Sequence, residues 1–541
     1  MGAARGLCAS PPAPGEGPVK ALGEPIYLVG LPGSGKSKVG KLLAQVLRVP
    51  HIDTDRCIEK LQGATIPDLF TRVGEAGFRK MEAEVVLATS GPAVVSLGGG
   101  VVETPAVREF LKSQTVVWID AEDPVLVQRV GGGKVRPLLA DDPAGSLREL
   151  RARRTPYFEG IANLKVTSSH APAAGVAGRI LRGLANWEVT WVPGSHRYPV
   201  ITGPGTSALL ARYLPAGATK AFVVFPGSLS PQATSLRQEL EGAGLETHLF
   251  AHVDGEDAKD LKTAAAGWDA LGSARVGRGD LVITLGGGVT TDLGGFLAAT
   301  WLRGIPVIHV PTSLLAMVDA AIGGKTGIDT GAGKNLVGAF YDPIAVLADL
   351  DYLTTLPPEE YVAGLAEVVK AGFIADPAIL SALSADPQVA RSPEARVLAE
   401  VVGRAVAVKA KVVGGDRLER GQREILNYGH TLGHAIEKVE NYRVRHGEAV
   451  AIGMVFAAAL AERLGLSPPG TAQAHRQVLG RVGLPTHYEG DVEALLEAMT
   501  ADKKVRGGAL RFVLLQDGAP TVVAVEEASL RDLFEELGMS A

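Results

Sequence analysis

The chain has 541 residues, 46% of them hydrophobic, and carries 54 Lys and Arg against 59 Asp and Glu, a formal charge of −5. That length calls for three or four domains at about 150 residues each, and the slight acidity argues against nucleic acid or an anionic membrane as the main partner. Two cysteines, Cys8 and Cys57, leave no room for a disulfide framework or a Cys-based zinc site and suit a reducing cytoplasm. No apolar run reaches the roughly 18 residues that a membrane span needs. Residues 1–24 are rich in Gly, Ala and Pro without the apolar stretch of a secretory signal, so a disordered leader is expected there.

From residue 25, short apolar runs (26–29, 94–97 and 116–119) alternate with helical patterns (39–47 and 79–88). The alternation predicts a parallel α/β sheet with helices on both faces. The first run opens into Gly30-Leu31-Pro32-Gly33-Ser34-Gly35-Lys36-Ser37, a P-loop between a predicted strand and a predicted helix. Its backbone N–H groups cradle phosphates, Lys36 neutralises the β/γ charge and Ser37 can ligate magnesium. Asp53 and Asp55 stand two apart at a predicted strand end: one can serve magnesium and the other can hold an acceptor hydroxyl for in-line attack. Alone, they would read as a helix N-cap pair. They are followed in order by Arg79 and Glu82, by Gly98-Gly99-Gly100 after a buried strand, by Arg136 in a Gly-rich loop, and by Arg154. A predicted last helix, 173–186, closes a first domain of residues 25–187.

Beyond the junction, 221–225, 281–285 and 307–310 read as buried strands. Gly286-Gly287-Gly288 follows one of them, with Asp292 in the helical stretch after it. No Lys-Ser follows these glycines, which suggests a dinucleotide rather than ATP, although tight strand–helix packing is a competing reading. The carboxylate expected to hold the adenine ribose is not visible at 223–227, which reads Val-Val-Phe-Pro-Gly. After residue 353 the patterns 360–373, 395–413, 427–439 and 449–464 read as successive long helices, with little strand signal until 510–515. The chain is therefore expected to be α/β: a P-loop domain, a Rossmann-like dinucleotide-binding domain over 188–353, and a mostly helical metal-binding domain over 354–541. Glu367 and Lys370 share a helix face. Arg423, Asn427, His430 and His434, spaced by 4, 3 and 4, share another on a helix expected to begin near Asn427. His446 comes next. A carboxylate and two imidazoles from separated elements make a three-ligand zinc site with an open position.

The ordered P-loop set resembles shikimate kinase over residues 25–185. The resemblance implies ATP and Mg2+ as cofactors, bound by Gly33, Ser34, Gly35, Lys36 and Ser37, with Asp53 and Ser37 at the metal. It also implies that Asp55, Arg79, Gly98, Gly99, Gly100 and Arg154 hold shikimate, the arginines clamping its carboxylate. Arg129 would flank the adenine, Glu82 would orient Arg79, and Arg136 would close on the phosphates in a lid over 131–142. Lys36, Asp55 and Arg136 would be the catalytic groups.

Residues 190–535 resemble 3-dehydroquinate synthase through the glycines, Asp319 to Lys325, Gly333-Lys334-Asn335, the Glu/His set and Asp502-Lys503-Lys504. The resemblance implies NAD, contacted by Glu256, Lys259, Gly286, Gly287, Gly288, Asp292, Thr312, Ser313, Lys334, Asn335 and Thr355. It implies Zn2+, or another divalent ion such as Co2+, on Glu367, His430 and His446. Asp319, Lys325, Lys370, Lys409, Arg423, Asn427, His434, Lys503 and Lys504 would hold 3-deoxy-D-arabino-heptulosonate 7-phosphate, with Lys325, Lys370, Arg423, Asn427 and His434 the catalytic set. Ser313 stands where the family commonly has a second Thr, and Asp329 where Asn is usual. The implied reaction is a transient oxidation that lets phosphate leave, followed by ring closure. The two resemblances imply a bifunctional, cytoplasmic shikimate-pathway enzyme acting on small molecules, with a homodimer through the synthase half as a further expectation. Three alternatives stay open: an N-terminal half that is an inactive regulatory module, a C-terminal half that is another sugar-phosphate cyclase, and one that is a metal-dependent polyol dehydrogenase.

Overall fold

The computed structural model describes residues 23–131, 142–395, 397–505 and 510–539, with the side chains of 501–505 and 528–529 left out. The leader over 1–22, Arg136 with most of its expected lid, and the side chains of Lys503 and Lys504 therefore lie outside the described residues. The chain forms two compact units, divided between Trp187 and Glu188.

The first unit is a five-stranded parallel sheet of β1 (Ile26–Val29), β2 (His51–Asp53), β3 (Val94–Ser96), β4 (Thr115–Asp120) and β5 (Leu164–Thr167), in the order β2-β3-β1-β4-β5. Every residue of β1 is buried, as expected of a central parallel strand covered on both faces. Tyr27, Val29, Val95, Val116 and Trp118 form the core with Leu126, Leu147 and Phe158 from the covering helices. The carboxyl end of β1 is thus the middle of the sheet edge, where an open α/β sheet binds its ligand.

The second unit contains a seven-stranded mixed sheet. Its strands are β6 (Glu188–Val192), β7 (Tyr198–Gly203), β8 (Lys220–Pro226), β9 (Glu246–His252), β10 (Leu281–Gly286), β11 (Val307–Pro311) and β14 (Ala345–Asp349), ordered β6-β7-β14-β11-β10-β8-β9. Only β6 runs antiparallel to its neighbour. The chain leaves β8 toward β9 on one side and β10 toward β11 on the other, so the switch point lies between β8 and β10, beside Gly286–Gly288. Between β11 and β14 an antiparallel hairpin, β12 (Lys325–Thr330) with β13 (Gly333–Phe340), carries Lys325, Lys334 and Asn335.

The helical part contains the expected elements with shifted ends: Pro358–Ile374, Leu398–Gly415, His430–Val439 and His446–Arg463. A last hairpin, Leu510–Gln516 with Ala519–Val525, packs on it. One apolar cluster joins Val192, Tyr198, Val200 and Val346 of the sheet to Leu365, Val368, Val401 and Val450 of the helices. One expectation needs correction. The helix does not begin near Asn427. Gln422–Asn427 is a separate 3₁₀ segment, and Gly429 at φ 81° turns the chain before the α-helix starts at His430. A Cβ on Gly429 would lie 2.7 Å from the Val450 carbonyl oxygen, so the corner is pressed against the next helix. Arg423 and Asn427 therefore do not share one continuous helix face with His430 and His434.

Candidate active sites

In the first unit the P-loop wraps the end of β1. Gly30, Gly33 and Gly35 have φ of 148°, 83° and 93°, values that favour glycine and aim backbone N–H groups into one hollow. Lys36 starts the following helix and folds its Nζ onto the carbonyl oxygens of Gly30 at 2.7 Å and Leu31 at 3.2 Å. Ser37 donates to Asp53 at 2.7 Å, which puts a hydroxyl and a carboxylate side by side as a magnesium pair requires. Ser34 is buried, with its Oγ unpartnered. Arg129 donates to Ser168 Oγ at 3.0 Å and Ser168 O at 2.7 Å, and reaches Gly33 O at 3.4 Å. The structure thus braces it against the P-loop.

Facing the loop is a cluster of charge around a glycine turn. Arg79 donates to Glu82 at 2.6 Å and to Glu75 at 3.1 Å, and Arg154, 2% exposed, donates to Glu103 at 2.6 Å. Burial pushes the Glu82 carboxyl up to about 7, although Arg79 pulls it down. A Cβ on Gly98 would stand 2.5 Å from Asp55 Oδ1 and closer still to Glu82 Oε1, a Cβ on Gly99 3.2 Å from Arg154 Nη1, and a Cβ on Gly100 inside the Arg79 guanidinium. The three glycines are what let Asp55, Arg79, Glu82 and Arg154 meet.

In the second unit, a glutamate and two histidines converge. His430 Nε2 lies 3.7 Å and His446 Nε2 3.9 Å from the same Glu367 oxygen, Oε1. One ligand atom from each of the three residues lies within 4.8 Å of the others. Glu367 is buried; Oε2 pairs with Lys370, whereas Oε1 has no hydrogen-bond partner. A buried, unpaired carboxylate oxygen is costly, and a cation between it and the two imidazoles would satisfy it. The far ring nitrogens fix the tautomers. His430 Nδ1 is 3.2 Å from Tyr428 O and His446 Nδ1 is 3.3 Å from Glu437 Oε1, so each Nδ1–H donates outward and each Nε2 lone pair faces Glu367. Burial and the nearby Lys370 charge hold His430 well below its usual pKa, hence neutral. Burial works against the charged form of His446 too, but Glu437 and Glu367 outweigh it. The exposed His434 ring lies 5.2 Å from that of His430 and, with Glu437 and His446, forms a second grouping.

Around this trio the cationic residues are already matched. Lys409 donates to the Asp319 carbonyl at 2.5 Å and to its carboxylate. Burial would raise Asp319, but Lys409 and Lys370 hold it well below the usual carboxylate range. Asp319 lies in a single π-helical turn, Ala316–Ala320, a form common at functional sites. Lys325 pairs with Glu419 at 2.5 Å, and the buried Arg423 donates to the Arg417 carbonyl at 3.2 Å. Asn427 ends the 3₁₀ segment that carries Arg423.

The dinucleotide candidates gather at the switch point. Lys259 links Asp292 at 3.0 Å and Glu256 at 3.3 Å, and Lys334 reaches Glu256 at 3.4 Å. Burial pushes Asp292 up to about 6 despite Lys259. Thr312 N donates to Gly286 O at 3.0 Å, and Ser313 Oγ would be 3.3 Å from a Cβ on Gly287. Asn335, at φ 56°, donates its N–H to Asp329 at 2.7 Å. Thr355 is bonded to Tyr352 O within Leu350–Thr355. One residue was missed. Asp254 follows β9 and accepts from Ser228 Oγ, just after β8, at 2.6 Å. The second strand of this Rossmann-like lobe is β9, so its end at Asp254, rather than 223–227, is where a ribose-holding carboxylate belongs.

Comparison with known proteins agrees with this geometry. Residues 32–185 match the family model for shikimate kinase, 249–363 that for 3-dehydroquinate synthase N-terminal and 364–505 that for 3-dehydroquinate synthase C-terminal. The 3-dehydroquinate synthase of Mycolicibacterium vanbaalenii is 52% identical over 319 residues, 59% of this chain and 89% of the relative. The chain belongs to the 3-dehydroquinate synthase family, with a shikimate kinase domain ahead of the synthase. It is a bifunctional shikimate-pathway enzyme with both activities.

Two solved structures are similar to the synthase part. A 2-deoxy-scyllo-inosose synthase complexed with carbaglucose-6-phosphate, NAD+ and Co2+ is 27% identical, with TM-score 0.59, covering 64% of this chain and 99% of its own. A 2-epi-5-epi-valiolone synthase from Streptomyces hygroscopicus with NAD+ and Zn2+ bound gives the same identity and TM-score over 65% of this chain and 99% of its own. The higher identity to the 3-dehydroquinate synthase sets aside another cyclase and a polyol dehydrogenase as readings of the synthase part. Among the described residues of this bifunctional enzyme, no helix is long and apolar enough to cross a membrane.

Proposed function

We propose that the kinase unit uses ATP with magnesium and that the synthase unit uses NAD with a divalent ion, Zn2+ or Co2+. In the kinase, the P-loop amides and Lys36 take the β/γ-phosphates, Ser37 and Asp53 take magnesium, and Asp55 holds the acceptor hydroxyl in line. Arg79, oriented by Glu82, and Arg154 clamp the shikimate carboxylate. In the synthase, the observation that carries the reading is the unpartnered Glu367 Oε1 faced by two imidazoles. Glu367, His430 and His446 are then the metal ligands, and Gly286–Gly288, Asp254, Glu256, Lys259 and Asp292 the dinucleotide site. Bound NAD and metal would supply a transient oxidation of one hydroxyl that acidifies the adjacent C–H. Lys325, Lys370, Lys409 and Arg423, with Asn427 and His434, hold the phosphate and carboxylate of the sugar acid and stabilise the leaving phosphate. The dinucleotide groups lie in 188–353 and the metal ligands in 354–541, a division we propose for the synthase. We also place the enzyme in the cytoplasm as a homodimer through its synthase part.

The test is incubation of the full chain with the seven-carbon sugar acid phosphate, following phosphate release with and without NAD and a chelator. Release should need both NAD and the bound metal; release that persists through chelation and dialysis of the metal overturns the metal reading.

A further inference from the structure

A buried histidine that the reaction does not use stands behind the metal ligands. His475 lies on the helix Thr471–Arg481, 2% exposed. Its Nδ1 is 2.8 Å from the Thr471 carbonyl oxygen and its Nε2 2.9 Å from the hydroxyl of Tyr428, which is fully buried. A carbonyl oxygen only accepts, so Nδ1 carries the proton, Nε2 is the lone pair, and the Tyr428 hydroxyl donates. Burial pushes the imidazole down to about 4, which keeps it neutral. The ring stacks on Phe373 with centroids 3.7 Å apart and planes 11° from parallel. Phe373 belongs to the helix Pro358–Ile374 that carries Glu367.

These contacts join two metal ligands through one side chain. Tyr428 supplies the carbonyl that takes the Nδ1–H of His430, at the corner where the chain turns through Gly429. On its own short segment Tyr428 bonds its N–H to the Ile425 carbonyl at 3.4 Å, and its ring is anchored at the far end by His475. We propose that His475 is a positioning residue of the metal centre: through the Tyr428 hydroxyl it fixes the carbonyl that orients His430, and through Phe373 it references that corner to the helix bearing Glu367. The inference rests on the metal reading of Glu367, His430 and His446. Outer partners of ligating histidines typically control affinity by 10- to 100-fold, and here the control is exerted from a second helix by way of a tyrosine.

The experiment uses the full chain, Co2+ as probe, chelator competition for affinity and visible absorption for ligand geometry. His475→Phe keeps the stack on Phe373 and loses the acceptor. Tyr428→Phe removes one oxygen atom and decides the matter alone if the first variant does not fold. Each should weaken Co2+ about 10- to 100-fold and shift its bands, and the double variant should be no weaker than the weaker single one. Leu479→Ala, on the same helix and fully buried, should lose thermal stability with Co2+ affinity and bands unchanged. Wild-type Co2+ affinity and bands in Tyr428→Phe overturn the proposal, as does an equal loss of Co2+ in Leu479→Ala. His446→Ala separates the two readings: if it still binds Co2+ as tightly as wild type, the metal reading itself is wrong, whatever the His475 variants do.

Discussion

Gly98→Ala isolates what the glycine turn does for the kinase. The backbone at Gly98 lies outside the left-handed region, so alanine meets no conformational penalty and its effect is purely steric. Its Cβ would stand 2.5 Å from Asp55 Oδ1, where real Cβ contacts essentially never fall below 3.0 Å, and nearer still to Glu82 Oε1. Glu82 is 1% exposed and held by Arg79 at 2.6 Å, so it cannot swing away without moving that arginine. The acceptor-side carboxylate and the carboxylate clamp must then shift together by about half an ångström to one ångström. Misplacement on that scale costs about 100-fold, or about 2.7 kcal/mol of barrier. Kinase turnover measured by ADP release should therefore fall about 100-fold in kcat/KM for shikimate, with ATP affinity little changed. Synthase turnover of the same polypeptide, read by phosphate release, is the internal control and should hold. Shikimate kinetics within threefold of wild type would show that the turn yields freely and that it does not set the acceptor geometry.

Four further outcomes are expected. His446→Ala should lose the metal, measured by elemental analysis after dialysis, and synthase turnover with it, while kinase activity persists. Asp254→Ala should raise KM for NAD about tenfold, the worth of one charge-assisted hydrogen bond; an unchanged KM removes Asp254 from the dinucleotide site. The Glu82 carboxyl is raised from 4.5 to about 7 on folding, so its contribution is fully present below 4.5 and lost as pH rises through 7. The stability of the kinase unit against thermal unfolding should decline over that window by at most about 1.4 kcal/mol per pH unit, a slope that Glu82→Gln abolishes. Cutting at the Trp187/Glu188 boundary should yield two fragments that fold and work separately; a fragment that is soluble but active only after mixing refutes this independence.

What could be read from sequence followed the range of the interaction. The P-loop is legible because Gly30 to Ser37 writes a backbone conformation locally, and Glu367 with Lys370 because one helical turn fixes their spacing. The meeting of Glu367, His430 and His446 was foreseen as chemistry and through the family resemblance rather than from any local pattern, since their convergence depends on packing among three helices. The hairpin carrying Lys325 and Lys334 escaped notice because Gly333, Gly338 and exposed Leu336 and Val337 break the apolar alternation of a half-buried strand. Asp254 was missed for a related reason. It follows β9, the edge strand, whose residues Glu246, Thr247 and His248 leave the segment only half buried, so no apolar run marks the strand that ends at this carboxylate. The start at His430 instead of near Asn427 depends on the close approach of Gly429 to Val450, which no local signal announces.

In both units an arginine that we propose holds substrate is seated against a glycine, and the coincidence has a physical basis. Arg79 fills the space that a Cβ on Gly100 would take, and Arg423 Nη2 would lie 2.7 Å from a Cβ on Gly323. Gly323 also donates its N–H to the buried Tyr198 hydroxyl at 3.0 Å, which fixes the backbone behind the guanidinium. A planar cation that must stay desolvated, yet be ready for an anion, needs a flat polar wall that does not fill its pocket. Bare backbone provides that wall, and any side chain would replace it with bulk. On the proposed reading the paired glycines are therefore part of the anion-binding apparatus in each unit, although neither carries a functional group.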